Sequence, residues 1–180
     1  GKDAPDHRPP AEESEIAAIS QHAMLIVGRL DGQQRHKGHD QLIEALPIVL
    51  KLVPDAELII AGGGDDQGRL EQKARSLGVA GQVKFLGLVD EVALHQLYNN
   101  CALFVMPSDG DGFGLVFLEA MMHGLPCVGL EQGAAAEIFE GGETGFLVDR
   151  TNVPAMAQSL SSILLDEKKR AQIGKAGLER

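Results

Sequence analysis

The chain has 180 residues, 44% of them hydrophobic and 23% charged, with a formal net charge of -10 at pH 7 and no Trp. That length suits one domain, or one half of a two-domain protein, with enough residues to bury a sizeable core. The acidic balance argues against nucleic acid or an anionic membrane as partner of the whole chain, since both are gripped through clustered Lys and Arg; no apolar run approaches the roughly 18 residues of a membrane helix. A local basic site for a small anion is still open to it. Cys101 and Cys127 each start an apolar segment. That is the pattern of reduced core thiols, and with no signal peptide legible the expected location is cytoplasmic.

In chain order, residues 1–20 are polar, contain Pro9-Pro10 and read as an interdomain linker ending in a short acidic helix; residues 21–180 read as the domain. Residues 23–28 (AMLIVG) form a strand-length apolar run. A helical pattern over 38–52 follows, with Leu42, Ile43, Leu46, Val49 and Leu50 on one face and Pro47 inside, where its ring is expected to bend the helix. The unit then recurs. ELIIA at 57–61 leads through Gly62-Gly63-Gly64, read as a tight turn, to a charged helix over 67–77. Strands at 83–86, 102–106, 127–130 and 145–148 alternate with helices at 91–99, 114–123 and 134–139, and helices at 153–165 and 167–176 close the chain.

Short, almost wholly apolar strands alternating with helices imply an α/β fold, a doubly wound parallel sheet with helices on both faces. Parallel strands joined by helical crossovers all end on one edge of the sheet, where such folds take their ligands. The loops at 29–37, 62–64, 87–90, 107–114 and 131–133 each follow a strand and should converge there.

Chemistry concentrates in Asp111-Gly112-Phe113-Gly114-Leu115-Val116-Phe117-Leu118-Glu119, a glycine loop opening a helix with a carboxylate at each end. Glycines let the backbone approach a ligand, and free amides at a helix start attract a phosphate. Spacing alone leaves a plain strand, turn and amphipathic helix equally open. Arg29 directly follows the first strand, and Lys37 stands at a helix start, which costs roughly 0.3 to 1 kcal/mol unless an anion is present. Together they suit a guanidinium and an ammonium clamping a diphosphate, against two merely solvated cations. The trio at 62–64 falls short of the G-x-G-x-x-G dinucleotide pattern, because Gly68 comes one residue late. His36 and His39, which flank Lys37-Gly38, read as solvated loop residues with a place in the lining of the site as the alternative, and His123 reads as a residue at a helix C-terminus. No metal-ligand cluster is legible.

Val27-Gly28-Arg29-Leu30, Lys37-Gly38, Leu58-Ile59-Ile60-Ala61 with Gly62-Gly63-Gly64, Phe85-Leu86-Gly87, Pro107-Ser108, Leu118-Glu119-Ala120-Met121 and Gly142-Glu143-Thr144-Gly145-Phe146-Leu147-Val148 follow one another as in glycosyltransferase family 4. The resemblance covers about residues 23–165. It implies the C-terminal half of a GT-B glycosyltransferase, a Rossmann-like domain that binds the nucleotide-sugar donor of a retaining enzyme and works with an N-terminal acceptor-binding domain. Asp111 and Glu119 align with the family's two acids, Glu119 to accept from the ribose hydroxyls and Asp111 to hold the transferred sugar. Arg29 and Lys37 would neutralise the leaving diphosphate. The amides of Gly112, Phe113, Gly114 and Leu115 would face the sugar and diphosphate, and the backbone of Leu88 and Val89 would meet the base. No cofactor and no metal is expected, and a catalytic histidine would come from the other half. Glu137 also stands at a family position, with an exposed helix acid as the alternative.

Two features depart from the family pattern. Asp111 replaces the commoner Glu, which sets its carboxylate back by about 1.5 Å, and the spacing from Arg29 to Lys37 is long. A nucleotide-binding module without transfer activity is therefore a second reading, and a dinucleotide-dependent oxidoreductase a third.

Overall fold

A computed structural model of the chain describes residues 13–33, 35–108, 115–132 and 135–179. Each strand is a short apolar run that is buried because helices cover both faces of the sheet. In chain order the elements are α1 (Glu13–Ala17), β1 (Ala23–Val27), α2 (His39–Leu52), β2 (Glu57–Ala61), α3 (Gln67–Ser76), β3 (Val83–Gly87), α4 (Glu91–Asn100) and β4 (Leu103–Val105). They continue as α5 (Leu115–Met122), β5 (Cys127–Leu130), α6 (Ala135–Ile138), β6 (Phe146–Val148), α7 (Val153–Leu165) and α8 (Glu167–Leu178). Short 3-10 turns occupy Arg35–Lys37, Ala80–Gln82 and Glu140–Gly142.

The six strands form one sheet in the order β3-β2-β1-β4-β5-β6, every pairing parallel. β1 is central: Ala23 to Val27 register with Glu57 to Ala61 on one side, and Met24 and Leu25 with Leu103 and Phe104 on the other. From β1 the chain winds outward through β2 to β3, then returns to lay β4 on the opposite side of β1. The order switches between β1 and β4, which is where doubly wound sheets open a ligand crevice.

α2 packs against α7 and α3, while α4 meets α1 and α5 meets α8. Two helical layers therefore enclose the sheet. Between the sheet and α5, Phe104, Phe117 and Phe139 meet edge to face at 5.5 and 5.1 Å, an arrangement that suits their ring quadrupoles. α2 runs unbroken through Pro47, whose lost hydrogen bond is offset by burying Leu42, Ile43, Ala45, Leu46 and Val49. Ile16 of α1, 2% exposed, joins the core. Residues 1–12, the rest of the stretch read as a linker, lie outside the described residues. Both cysteines are free and buried.

The tight turn expected at Gly62-Gly63-Gly64 falls instead at Asp65 and Asp66. The glycines run alongside the segment that leaves β1: Gly28 N–H donates to Ala61 O, Leu30 N–H to Gly63 O and Asp66 N–H to Leu30 O, at 2.9 to 3.1 Å. Side chains at 62 and 64 would strike that backbone, at 1.9 Å from Gly28 O and 2.1 Å from Leu30 O. Close approach of two chains, rather than reversal of one, is what glycine serves here.

Candidate functional site

At the switch point the segment after β1 folds back over its own strand. Lys37 closes the 3-10 turn, and its side chain lies across Gly28, so near that a Cβ there would stand 2.9 Å from Nζ. Gly38 follows as the cap of α2 in the left-handed conformation (φ 97°). Its bare Cα receives the ring of Pro107, the second residue past β4, with Cγ 2.5 Å from where a Cβ would be. The loops after β1 and β4 are thereby locked together, and Arg150 past β6 donates to Pro107 O at 3.1 Å from the other side.

Arg29 is exposed and Lys37 half-buried. Neither side chain has a hydrogen-bond or ion-pair partner among the described residues, in a chain where acids outnumber bases 26 to 16. The neighbouring cations differ. Arg35 spans Asp66 at 3.0 and 3.2 Å, Arg69 forks onto Asp40 at 2.7 and 2.8 Å and onto Asp66 at 2.7 and 2.9 Å, and Lys73 bridges Asp40 and Glu44. Hydrogen bonds from Arg69 hold both Asp40 and Asp66 well below the usual carboxylate range. Asp66, 6% exposed, anchors through Arg35 the turn that carries Lys37. The network fixes the loop and consumes its own charges, and among the described residues Arg29 and Lys37 stand outside it.

His39, read from sequence as a solvated loop residue, is instead 5% exposed. As the first residue of α2 it turns inward, and burial, with Lys37 adding, lowers its pKa to about 4. It is neutral at physiological pH, and its Nε2 has no hydrogen-bond partner among the described residues. The side chain of His36 lies outside the described residues.

Asp111, Gly112, Phe113 and Gly114 also lie outside the described residues. Leu115 is the first residue of α5 and 66% exposed. Glu119 is exposed one turn later and accepts a 3.1 Å hydrogen bond from the Tyr98 hydroxyl. Leu88, 79% exposed, and Val89 follow β3 on the same edge of the sheet, ahead of Asp90, which caps α4 by accepting from Ala93 N–H at 2.7 Å. Glu137 is exposed on α6. Arg29, Lys37, Leu88, Val89 and Leu115 thus all stand at the carboxyl ends of the strands, with Glu119 a turn below.

Sequence reasoning missed Tyr98, Asp66 and Arg150. Only Tyr98 left a sign: it is the sole Tyr of the chain, and a buried Tyr needs a partner for its hydroxyl. A hollow of about 560 Å³ lies beside α1, α3 and β3, lined by Glu15, Ala74, Val83, Phe85 and Leu86. It is set along the flank of β3, away from the strand ends where Arg29, Leu88 and Val89 stand. No His, Cys, Asp and Glu group suited to a metal occurs among the described residues.

Topology and geometry together define a doubly wound domain with Arg29 and Lys37 at its strand switch. The chain belongs to the glycosyl transferases group 1 family, whose model matches residues 12–180. It is 37% identical over 148 residues to the GDP-mannose-dependent alpha-(1-6)-phosphatidylinositol monomannoside mannosyltransferase of Mycolicibacterium smegmatis, an alignment covering 78% of this chain and 39% of that protein. The chain thus spans about two-fifths of the length of such curated relatives. The crystallised C-terminal domain of a glycosyl transferase group 1 family protein from Francisella tularensis superposes with a TM-score of 0.79 at 28% identity, over 94% of this chain and 91% of that one. The Anabaena protein HepE, crystallised with UDP and glucose, superposes at 0.78 with 27% identity, over 94% of this chain and 48% of that one. The expected doubly wound, Rossmann-like sheet is present, in the form of the C-terminal half of a GT-B glycosyltransferase.

Proposed function

We propose that this chain is the donor-binding domain of a retaining glycosyltransferase, which takes a sugar from a nucleotide-diphosphate sugar and passes it to an acceptor held by an N-terminal domain. The observation that carries this reading is that Arg29 and Lys37, at the switch point of an otherwise acidic chain, have no partner among the described residues. The names of the relatives agree with it, since one uses GDP-mannose and another was crystallised with UDP and glucose.

In the reaction, the bond from the sugar's anomeric carbon to the diphosphate oxygen breaks and a bond to the acceptor hydroxyl oxygen forms, the hydroxyl proton passing to the diphosphate. Negative charge grows on the diphosphate as it leaves. Arg29 and Lys37 therefore hold the transition state more tightly than the ground state, which is the condition for catalysis. The Leu115 amide, at the positive end of α5, adds to them. Glu119 accepts from the ribose, Asp111 from the hydroxyls of the transferred sugar, and the backbone of Leu88 and Val89 meets the base. Charge neutralisation by side chains and amides supplies the role a metal would otherwise take.

Calorimetric titration with GDP, UDP and ADP, each beside its nucleoside, tests the reading. One diphosphate should bind well above its nucleoside, lose about tenfold or more with Arg29→Ala or Lys37→Ala, and be unaffected by EDTA. Equal binding of nucleoside and diphosphate, or binding of NAD alone, would refute it.

A further inference from the structure

Tyr98 is 2% exposed on α4, and Glu119 is exposed on α5, yet the phenol oxygen reaches the carboxylate Oε2 at 3.1 Å across the seam between the two helices. Several contacts fix the phenol. Its ring is tilted against Phe104 of β4 at 6.2 Å and against His123 at 5.1 Å. His123 is in turn held by Asn99 Oδ1 at 3.2 Å and meets the ring of His95 edge-on at 4.8 Å. Burial, and then the charge of Glu119, push the Tyr98 pKa up, so the hydroxyl stays a donor. A carboxylate only accepts, and has room for about four hydrogen bonds. With one site on Oε2 taken, the rest still face solvent.

The geometry points to Tyr98 as a positioning residue that holds Glu119 ready for a ribose diol, and so makes this a site for ribonucleotides over nucleotides lacking the 2′- and 3′-hydroxyls. The inference rests on the reading of Glu119 given above. A free glutamate has three rotatable bonds to freeze when it binds a ligand, and a side chain ordered in advance spares that cost. The tie also joins two parts of the site. α4 starts at the loop of Leu88 and Val89, where the base would lie, and two turns later presents Tyr98 to the ribose acid on α5. Base and ribose contacts are thereby set by one rigid helix.

The substitution Tyr98→Phe removes the hydroxyl and keeps the ring packing. GDP and UDP, each with its 2′,3′-dideoxy counterpart, are titrated against the wild-type chain, Tyr98→Phe, Glu119→Gln and the double variant, with thermal melts to confirm the fold. Tyr98→Phe should weaken the ribonucleotide about three- to tenfold and leave the dideoxy form unchanged; in the Glu119→Gln background it should do nothing further. Equal weakening of both forms would make Tyr98 merely structural and overturn the inference, as would an unchanged preference. If Glu119→Gln also leaves the preference at its wild-type value, or if neither nucleotide binds, the reading of Glu119 falls and the inference with it. A loss seen with Glu119→Gln but not with Tyr98→Phe removes the inference alone.

Discussion

The Lys37 side chain lies on Gly28: a methyl group on that Cα would stand 2.9 Å from Nζ and 3.0 Å from Cδ. The groups it would meet are the far end of a flexible side chain, which can swing away, while the φ of 157° at Gly28 is one that L residues rarely adopt, so Gly28→Ala should displace the ammonium and also cost about 1 kcal/mol of stability. Loss of a charge-assisted contact is worth about 1.5 to 3 kcal/mol, so the affinity for a nucleoside diphosphate should fall about ten- to hundredfold in chain that thermal melts show to be folded. The free nucleoside should bind as before. A nucleoside diphosphate bound at wild-type strength by Gly28→Ala would show that Lys37 does not need its place over β1.

The same substitution at Gly62 should end differently. There the Cβ would stand 1.9 Å from the carbonyl oxygen of Gly28, at a φ of 132°. Both colliding groups belong to the backbone, and their strands are paired in register, so neither side can yield without parting the two central loops. Gly62→Ala should cost about 3 kcal/mol or more, or prevent folding. Urea unfolding measures it, and a change below about 1 kcal/mol would mean that the approach of the two loops is looser than it stands.

Much of this fold follows from local pattern. The largely apolar runs at 57–61 and 127–130 are strands with those bounds, and the helix at 153–165 also keeps its bounds, because burial on both sheet faces and a capping Asn152 leave signatures in contiguous residues. What escaped depends on residues far apart in the chain. His39 is buried by the fold-back that carries Lys37 over Gly28 and sets Gly38 on Pro107; Arg35 meets Asp66 across 31 positions, and Tyr98 meets Glu119 across 21. No periodicity encodes such pairings. The convergence of the candidate residues was legible where backbone topology decides it: Arg29, Leu88 and Val89 each follow a strand end directly, and a parallel sheet brings those ends together.

The two cysteines should be inert in the native protein. Burial pushes the Cys101 thiol up to about 12 and that of Cys127 higher still, so neither forms appreciable thiolate near neutrality. Cys127 is fully buried and its thiol points at the carbonyl oxygens of Leu125 and Phe117. Treatment with a chromogenic disulfide reagent should release no signal from folded chain and two equivalents after denaturation, as the sequence holds two cysteines. Rapid labelling of either one without denaturant would contradict the packing of β4 and β5.

Acid should weaken the fold in two separate steps, the first set by His39. Its pKa stands at about 4 in the folded chain against 6.5 when unfolded. Between those values the unfolded state holds a proton that the folded state does not, so the stability present above pH 6.5 declines as pH falls, by at most about 1.4 kcal/mol per pH unit and about 3 kcal/mol in all. Lys37, Asp40 and Asp66 face the imidazole, Lys37 opposing its protonation and the two acids favouring it. Asp40 and Asp66 act in a later window. Their folded pKa values lie below the ordinary 3.8, so their contribution is intact above that pH and lost below it. His39→Leu fills the same apolar space without a titrating group. Urea unfolding at pH 7.5, 6, 5 and 4.2 should show the wild-type chain losing stability across the series while His39→Leu stays nearly level, the two then declining together below pH 3.8. Parallel declines from pH 6.5 to 4 would mean that His39 takes up its proton as readily in the folded chain as in the unfolded one, and that the inward turn at the start of α2 is wrong.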